Sequence, residues 1–233
     1  MVTGEMTDAP VQAGGDTDAS RTVLFDFDGV LFQGDAFELF IRHRYASSPM
    51  HKVLAVLTMP WWLLCGICSR RWAARALVHV ALCGLGAQRY QGVAEAFADQ
   101  IVRRPRAFYR DGLNALRKHL ADGDEVIIVT GCERILVTRL LQQLGLPEVT
   151  IVASQLKPGL FGMRTHVHNV GRRKIQGLAA KGVERWRLAY SDSFQDMPML
   201  KQASEAVLVN GTPKLCKRVE KAMGRAITRV AWY

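Results

Sequence analysis

Cysteine is scarce in this 233-residue sequence, and the five that occur form no disulfide pattern. An odd, scattered set in a chain of this length argues against a disulfide framework and favours a reducing compartment. Cys65 and Cys68 form a C-x-x-C pair, but a zinc site would need a second pair, which the sequence lacks. We therefore expect the cysteines to act as small apolar residues.

The first twenty residues contain no lysine or arginine and no long apolar stretch. A secretory signal needs a basic start followed by an apolar stretch, so no signal is predicted. The composition instead indicates a disordered lead-in over residues 1–20. This segment contains four of the acidic residues, so the rest of the chain has 31 basic and 17 acidic residues. Such an excess suits an anionic partner, which can be nucleic acid, a phospholipid surface or a phosphorylated substrate.

Short apolar strands alternate with helices in most of the remaining chain. Runs of apolar and β-branched residues predict strands at 22–25, 125–130, 149–153, 187–191 and 206–209. Apolar residues at helical spacing predict helices at 108–120, 135–144, 171–181 and 213–223, and a hairpin is predicted with its turn at 157–159. This alternation is typical of an α/β fold with a doubly wound parallel sheet, which binds ligands at the carboxyl ends of its strands.

No strand pattern occurs between residues 34 and 106. Helical spacing there predicts helices at 35–47, 51–68, 70–83 and 88–103, and Pro105 helps to end the segment. We therefore predict a core made of residues 21–33 and 107–233, with an all-helical cap inserted at 34–106.

Polar residues follow several of the predicted strands. The sequence D-F-D-G comes after the first strand at 26–29, T-G comes after the second at 130–131, and S-D-S-F-Q-D follows a later strand at 191–196, with Lys174 in a helix between them. Each signal alone is weak, because an aspartate after a strand is often only a turn residue. Together, in this order, they predict a shared site at one edge of the sheet.

These residue types match the requirements of phosphate monoester hydrolysis, which needs a nucleophile, a proton donor and positive charge on the phosphoryl oxygens. Asp26 can supply the nucleophilic carboxylate. Asp28 can protonate the leaving group and then accept a proton from the attacking water. Asp26, Asp28 and Asp192 offer the hard oxygen ligands that Mg²⁺ prefers.

The remaining motif residues suit phosphate binding. The Thr130 hydroxyl, the Gly131 N–H and the Lys174 ammonium can hold the non-bridging oxygens. Asp196, four residues after Asp192, can orient Lys174.

On these motifs the sequence resembles the haloacid dehalogenase superfamily, matching D-F-D-G-V at 26–30, T-G at 130–131, Lys174 and S-D-S-x-x-D at 191–196. In that superfamily phosphatases and phosphotransferases have the second aspartate of the first motif, and true dehalogenases lack it. The resemblance therefore implies a Mg²⁺-dependent phosphatase with an aspartyl-phosphate intermediate and a Rossmann-like core. Val30 departs from the threonine of many members, and Arg172 and Arg173 stand where relatives often have an acidic residue.

The inserted helices resemble the cap of the phosphoserine phosphatase-like branch, subclass IB. In that branch a carboxylate seven positions after the second motif aspartate contacts the substrate. Asp35 holds this position, although the phosphoserine enzymes have glutamate there. A role as N-cap of the first cap helix is an equally good interpretation of Asp35.

The predicted cap contains a run of 16 uncharged residues, 53–68, with basic residues on both sides. As one helix it would span about 24 Å, which is short of the roughly 30 Å hydrocarbon core of a bilayer. Pro60 would also kink it. A segment that lies in the membrane interface, with Trp61, Trp62 and Trp72 at headgroup depth, fits better than a simple crossing. The other interpretation is a helix packed on its neighbours in a soluble enzyme.

With this apolar cap the sequence is similar to bacterial lipid phosphatases of the same branch. The resemblance implies removal of the terminal phosphate from phosphatidylglycerophosphate at the cytoplasmic face of the inner membrane, with an anionic membrane surface as partner. One alternative is a cytoplasmic hydrolase of phosphoserine or another small phosphomonoester. A second is a non-catalytic module whose basic C-terminal residues bind nucleic acid, but no RNA motif or recognition helix supports it.

Overall fold

The computed structural model of the protein describes residues 21–233, without the side chains of Trp62, Cys65, Cys68, Arg70, Arg71 and Trp72. The predicted lead-in, residues 1–20, lies outside the described residues. The strands are β1 (Thr22–Phe25), β2 (Glu125–Glu133), β3 (Thr150–Pro158), β4 (Met163–Val167), β5 (Trp186–Ser191), β6 (Ala203–Val209) and β7 (Thr228–Val230). The helices are α1 (Ala36–Ser47), α2 (Pro49–Leu57), α3 (Met59–Cys68), α4 (Arg70–Ala81), α5 (Ala87–Val102), α6 (Arg110–Ala121), α7 (Arg134–Gln143), α8 (Arg172–Ala179), α9 (Met197–Gln202) and α10 (Pro213–Met223).

The seven strands form one sheet in the order β4-β3-β2-β1-β5-β6-β7, and only β4 is antiparallel to its neighbour. The central strand β1 is buried along its whole length, and its last three residues are apolar. Because side chains alternate across a strand, Val23 and Phe25 pack into the core on one face of the sheet and Leu24 packs into the core on the other. Helices cover both faces, so the predicted doubly wound α/β fold is confirmed.

The predicted elements differ from the observed ones mainly at their ends. The predicted hairpin forms, with β3 antiparallel to β4. Strand β3 continues to Pro158, five residues beyond its predicted end, because it pairs first with β2 and then with β4. Helix α9 and strand β7 were not predicted, since each is short.

The helices α1–α5, called the cap below, follow one another in the chain between β1 and α6. The predicted helix over 51–68 is wrong, because α2 and α3 are separate helices that meet at Thr58. Pro60 has no N–H, and its ring would clash with the carbonyl four residues earlier, so a continuous helix is broken just before it. The N–H and the hydroxyl of Thr58 both donate to the Leu54 carbonyl and end α2. Among the described residues, no helix has both the length and the apolar character needed to span a membrane.

A buried hydrogen bond joins the cap to the sheet. The Tyr90 hydroxyl, on α5, donates to Glu133 Oε2 at the end of β2 over 2.6 Å. The same carboxylate accepts the Leu136 N–H and thereby caps α7. Burial raises the pKa of Glu133, and the hydrogen bond from Tyr90 opposes this rise.

Replacing Tyr90 by phenylalanine should lower the free energy of unfolding by about 1–3 kcal/mol, because a buried acceptor loses its partner. Urea denaturation measures this difference. Tyr233→Phe is the matched control, since Tyr233 is 83% exposed, and it should change stability by no more than about 0.5 kcal/mol. Equal stability of Tyr90→Phe and wild type would contradict a stabilising link between α5 and β2.

Candidate active site

A cleft of about 520 Å³ opens at the carboxyl ends of β1 and β5. Parallel strands of a doubly wound sheet end at this edge, so the loops that follow them converge there. The predicted site residues that line the cleft are Asp26, Asp28, Asp35, Gly131, Lys174, Asp192 and Asp196. Other lining residues, which the sequence analysis did not single out for the site, include Tyr109, Val170 and Asn210.

A buried cation lies between two carboxylates at the base of the cleft. Lys174 Nζ is 3.0 Å from Asp26 Oδ2 and 2.7 Å from Asp196 Oδ2. The Lys174 side chain is only 2% exposed. The Ser191 hydroxyl donates to Asp196 Oδ2, and the Phe27 N–H donates to Asp26 Oδ1. The predicted contact between Asp196 and Lys174 is therefore present, and Asp26, which was not predicted as a partner of Lys174, contacts it as well.

The charges of this cluster depend on one another. Burial alone would lower the pKa of Lys174, but the carboxylates of Asp26 and Asp196 reverse this effect and raise it. Burial would raise the pKa of Asp196, yet Lys174 and the hydrogen bonds lower it. Burial raises the pKa of Asp26, which Lys174 opposes. The cluster thus favours a charged ammonium on Lys174 and a charged carboxylate on Asp196.

Asp28 lies in the same cleft and is attached to the cap. Its Oδ1 accepts the N–H of Ala36, the first residue of α1. Asp35 Oδ1 accepts the Glu38 N–H, so Asp35 is the N-cap of α1 as well as a cleft residue. Burial first, and then the carboxylate of Asp35, raise the pKa of Asp28 to about 7. A carboxyl group with a pKa near neutrality can both give and take a proton.

Asp192 lies against the turn that follows β1. Gly29 has φ of 75°, and a Cβ at this position would lie 2.0 Å from Asp192 Oδ2. Only glycine permits both this backbone conformation and this close approach. Burial, followed by the carboxylate of Asp196, raises the pKa of Asp192 to about 6.

The donor set of the cleft fits a magnesium ion. Asp26, Asp28 and Asp192 bring hard oxygen atoms to the cleft, and all three carboxyl groups have pKa values raised by burial and by neighbouring carboxylates. In the part of the chain that the structure describes, no group of three acidic, histidine or cysteine side chains is placed to hold a metal ion by itself. Mg²⁺ does not require such a group, because it usually takes one or two carboxylates together with water and substrate phosphate.

The second motif is positioned differently from the prediction. Gly131 lines the cleft, but Thr130 is buried beneath it, and its hydroxyl oxygen accepts the Cys132 N–H over 2.9 Å. Strand β2 continues past both residues to Glu133, so Thr130 has the environment of a core strand residue rather than that of a strand-end loop.

Two residues that sequence reasoning missed hold this motif in place. The Asn169 amide donates to the carbonyls of Thr130 and Val152, and the Ser154 hydroxyl donates to the Gly131 carbonyl over 2.7 Å. The Asn169 N–H in turn donates to Ser154 Oγ. A buried asparagine five residues before Lys174 has no local sequence signal, because its partners are 17 and 39 residues away.

Solved structures share the fold of this chain. A Bordetella pertussis Tohama I protein of unknown function superposes with a TM-score of 0.66 at 19% identity, covering 90% of this chain and 98% of that one. A phosphoserine phosphohydrolase-like protein from Francisella tularensis SCHU S4 superposes with a TM-score of 0.58 at 17% sequence identity, and the match covers 90% of this chain and 94% of that one. A phospho-aspartyl intermediate analogue of phosphoserine phosphatase superposes with a TM-score of 0.55 at 16% sequence identity, and the match covers 90% of this chain and 94% of that one.

The family comparison extends from β1 through the predicted motifs to α9. The model of the haloacid dehalogenase-like hydrolases matches residues 23–201, a range that contains the whole cap and every predicted site residue. With most of its length matched, this chain belongs to the haloacid dehalogenase-like hydrolase family.

Proposed function

We propose that the protein is a Mg²⁺-dependent phosphatase that forms an aspartyl-phosphate on Asp26 and acts on the phosphomonoester headgroup of a phospholipid, phosphatidylglycerophosphate. The observation that carries the chemistry is the contact between Asp26 and the buried Lys174 in a cleft that Asp28 also lines. A nucleophile, a cation and a proton donor thus share one small site.

The first half of the reaction transfers the phosphoryl group to the protein. The Asp26 carboxylate attacks phosphorus, and the bond between phosphorus and the leaving oxygen breaks. Asp28 gives its proton to that oxygen, which leaves as an alcohol. Lys174 offsets negative charge on the phosphoryl oxygens, and a bound Mg²⁺ would supply further positive charge there.

The second half regenerates the carboxylate. Asp28, now ionised, takes a proton from water as the water oxygen attacks the phosphorus of the acyl phosphate. The bond between phosphorus and Asp26 oxygen breaks, and inorganic phosphate is released. The pKa of Asp28 near 7 suits a group that changes its protonation state once in each half.

The exposed surface of α2 and α3 supports a lipid substrate. Large apolar side chains there are 44–84% exposed, whereas packing inside the cap would bury them. We call this set the apolar cap face; it comprises Met50, Val53, Val56, Leu57, Met59, Trp61, Leu63, Leu64 and Ile67. No acidic residue occurs between Glu38 and Glu95 in the sequence. An apolar surface without negative charge is suited to contact with an anionic membrane.

A small phosphomonoester such as phosphoserine is the second candidate substrate. It is favoured by the fold shared with phosphoserine phosphatase and by Asp35, which lines the cleft at the position predicted for substrate contact. The two substrates differ in whether they require a surface outside the cleft, so a direct comparison of them distinguishes the candidates.

Replacing Asp26 by asparagine should reduce turnover by at least about 10⁴-fold, because the neutral amide cannot attack phosphorus. Release of phosphate from p-nitrophenyl phosphate with Mg²⁺ measures the rate, and circular dichroism checks the fold. Asp122→Asn, at an exposed position, is the control and should retain wild-type activity. Near-wild-type turnover of Asp26→Asn would eliminate Asp26 as the nucleophile.

Replacing Lys174 by alanine should lower kcat by about a thousandfold, since phosphoryl charge is left uncompensated. It should also lower the free energy of unfolding by about 3–5 kcal/mol, because two buried carboxylates lose their common partner. Steady-state kinetics and urea denaturation measure the two effects. Arg173→Ala is the control for the neighbouring exposed cation. A loss of kcat below tenfold would mean that another cation stabilises the phosphoryl oxygens.

The substrate is tested by phosphate release from phosphatidylglycerophosphate in detergent micelles and from phosphoserine, with detergent-purified protein in parallel assays. We expect kcat/KM to be higher for the lipid, and we expect EDTA to stop both reactions and added Mg²⁺ to restore them. Preference for phosphoserine would favour the second candidate substrate. Full activity in EDTA would exclude the proposed metal dependence.

A further inference from the structure

The hairpin between β3 and β4 ends in an exposed apolar tip. This hairpin tip, residues 159–162, carries Leu160 and Phe161, which are 91% and 66% exposed. The Gly159 N–H donates to the Gly162 carbonyl and closes the turn. Two large apolar side chains at such exposure cost free energy in water unless another surface covers them.

The hairpin tip lies on the side of the sheet where the active-site cleft opens. Phe25 is in register with Ile128, and Ile128 with Ile151, so Ile151 is level with the residue that precedes Asp26. Strand β3 then continues seven residues to Pro158, which is roughly 20 Å at strand spacing. The hairpin tip therefore projects beyond the edge of the sheet at which the catalytic residues lie.

The backbone of the hairpin tip is attached to the cap. The Gly84 N–H donates to the Phe161 carbonyl over 2.8 Å, and Cys83 forms a β-bridge with Gly162. A Cβ on Gly162 would lie 2.2 Å from the Leu82 carbonyl oxygen, which shows how closely the two segments approach. The exposed side chains thus stand on a backbone that is hydrogen-bonded to the segment after α4.

The segments that form the hairpin tip and contact its backbone carry basic but no acidic side chains. The sequence has no acidic residue between Glu148 and Glu184, and the hairpin carries Lys157 and Arg164. The cap to which it is attached also lacks acidic residues between Glu38 and Glu95. Exposed apolar side chains on segments that carry cations and no carboxylates complement the headgroup region of an anionic bilayer.

We propose that the hairpin tip is a second membrane-contact element, in which Leu160 and Phe161 enter the boundary between headgroups and acyl chains. Lys157 and Arg164 then lie near lipid phosphates. This inference rests on the proposed function, because it assumes that the substrate is presented by a bilayer. Together with the apolar cap face, the hairpin tip holds the protein so that the cleft is near the lipid surface.

The experiment compares the full-length wild type with Leu160→Ser/Phe161→Ser in flotation with phosphatidylethanolamine–phosphatidylglycerol vesicles. We expect the partition coefficient of the double variant to fall about tenfold or more, because two apolar contacts are lost. Leu120→Ser is the matched control, since Leu120 is exposed on α6 near the opposite edge of the sheet, and it should bind as the wild type does. Thermal denaturation of all three proteins checks that they are folded.

Several outcomes would overturn the proposal. Binding of the double variant within twofold of wild type would exclude the hairpin tip as a contact, and equal binding to phosphatidylcholine vesicles would exclude an anionic surface. A wild type that dimerises in solution, with a monomeric double variant, would assign the tip to contact between two copies. Hydrolysis of detergent-dispersed phosphatidylglycerophosphate, measured without vesicles, tests the proposed function separately, so the two failures are distinguishable.

Discussion

The contact of Lys174 with two aspartates is the interaction on which the site depends. Placing an ammonium group in a buried position costs several kcal/mol unless carboxylates surround it. Asp26 follows β1, Asp196 follows β5 and Lys174 is on α8, so three separate elements must be packed before the charges are compensated. The same arrangement places a charged donor next to the proposed nucleophile.

The cap takes part in the chemistry through its first helix. The N–H at the start of α1 donates to Asp28, and the N-cap carboxylate of that helix, Asp35, contributes to the raised pKa of Asp28. The helix that begins the cap thus helps to hold the proposed proton donor in position, and its N-cap adds to the larger effect of burial on the pKa of Asp28. Since Asp35 also lines the cleft, a substrate in contact with it would alter the environment of the acid.

Local patterns were sufficient to predict the central fold and seven of the residues that line the cleft. The apolar strand before Asp26 and the aspartates after Ser191 are visible in a few adjacent residues, and the structure brings these groups into one cleft. The break at Thr58 was predictable only in part, because Pro60 indicates a kink without saying whether a new helix begins. The buried location of Thr130 and the role of Asn169 were not predictable, since both depend on partners far away in the sequence.

The distribution of charge follows from the chemistry proposed for the cleft. Carboxylates gathered in one cleft would repel an anionic phosphoryl group, so the site needs compensating cations close to the reaction. Lys174 provides one, and a divalent metal would provide more. Outside the cleft, the cap and the β3–β4 hairpin lack acidic residues over long stretches of sequence, so a phosphorylated substrate or an anionic bilayer meets no carboxylates along these stretches. Negative charge in those parts would weaken association with either partner, whereas in the cleft the proposed nucleophilic attack and the proposed metal binding both require it.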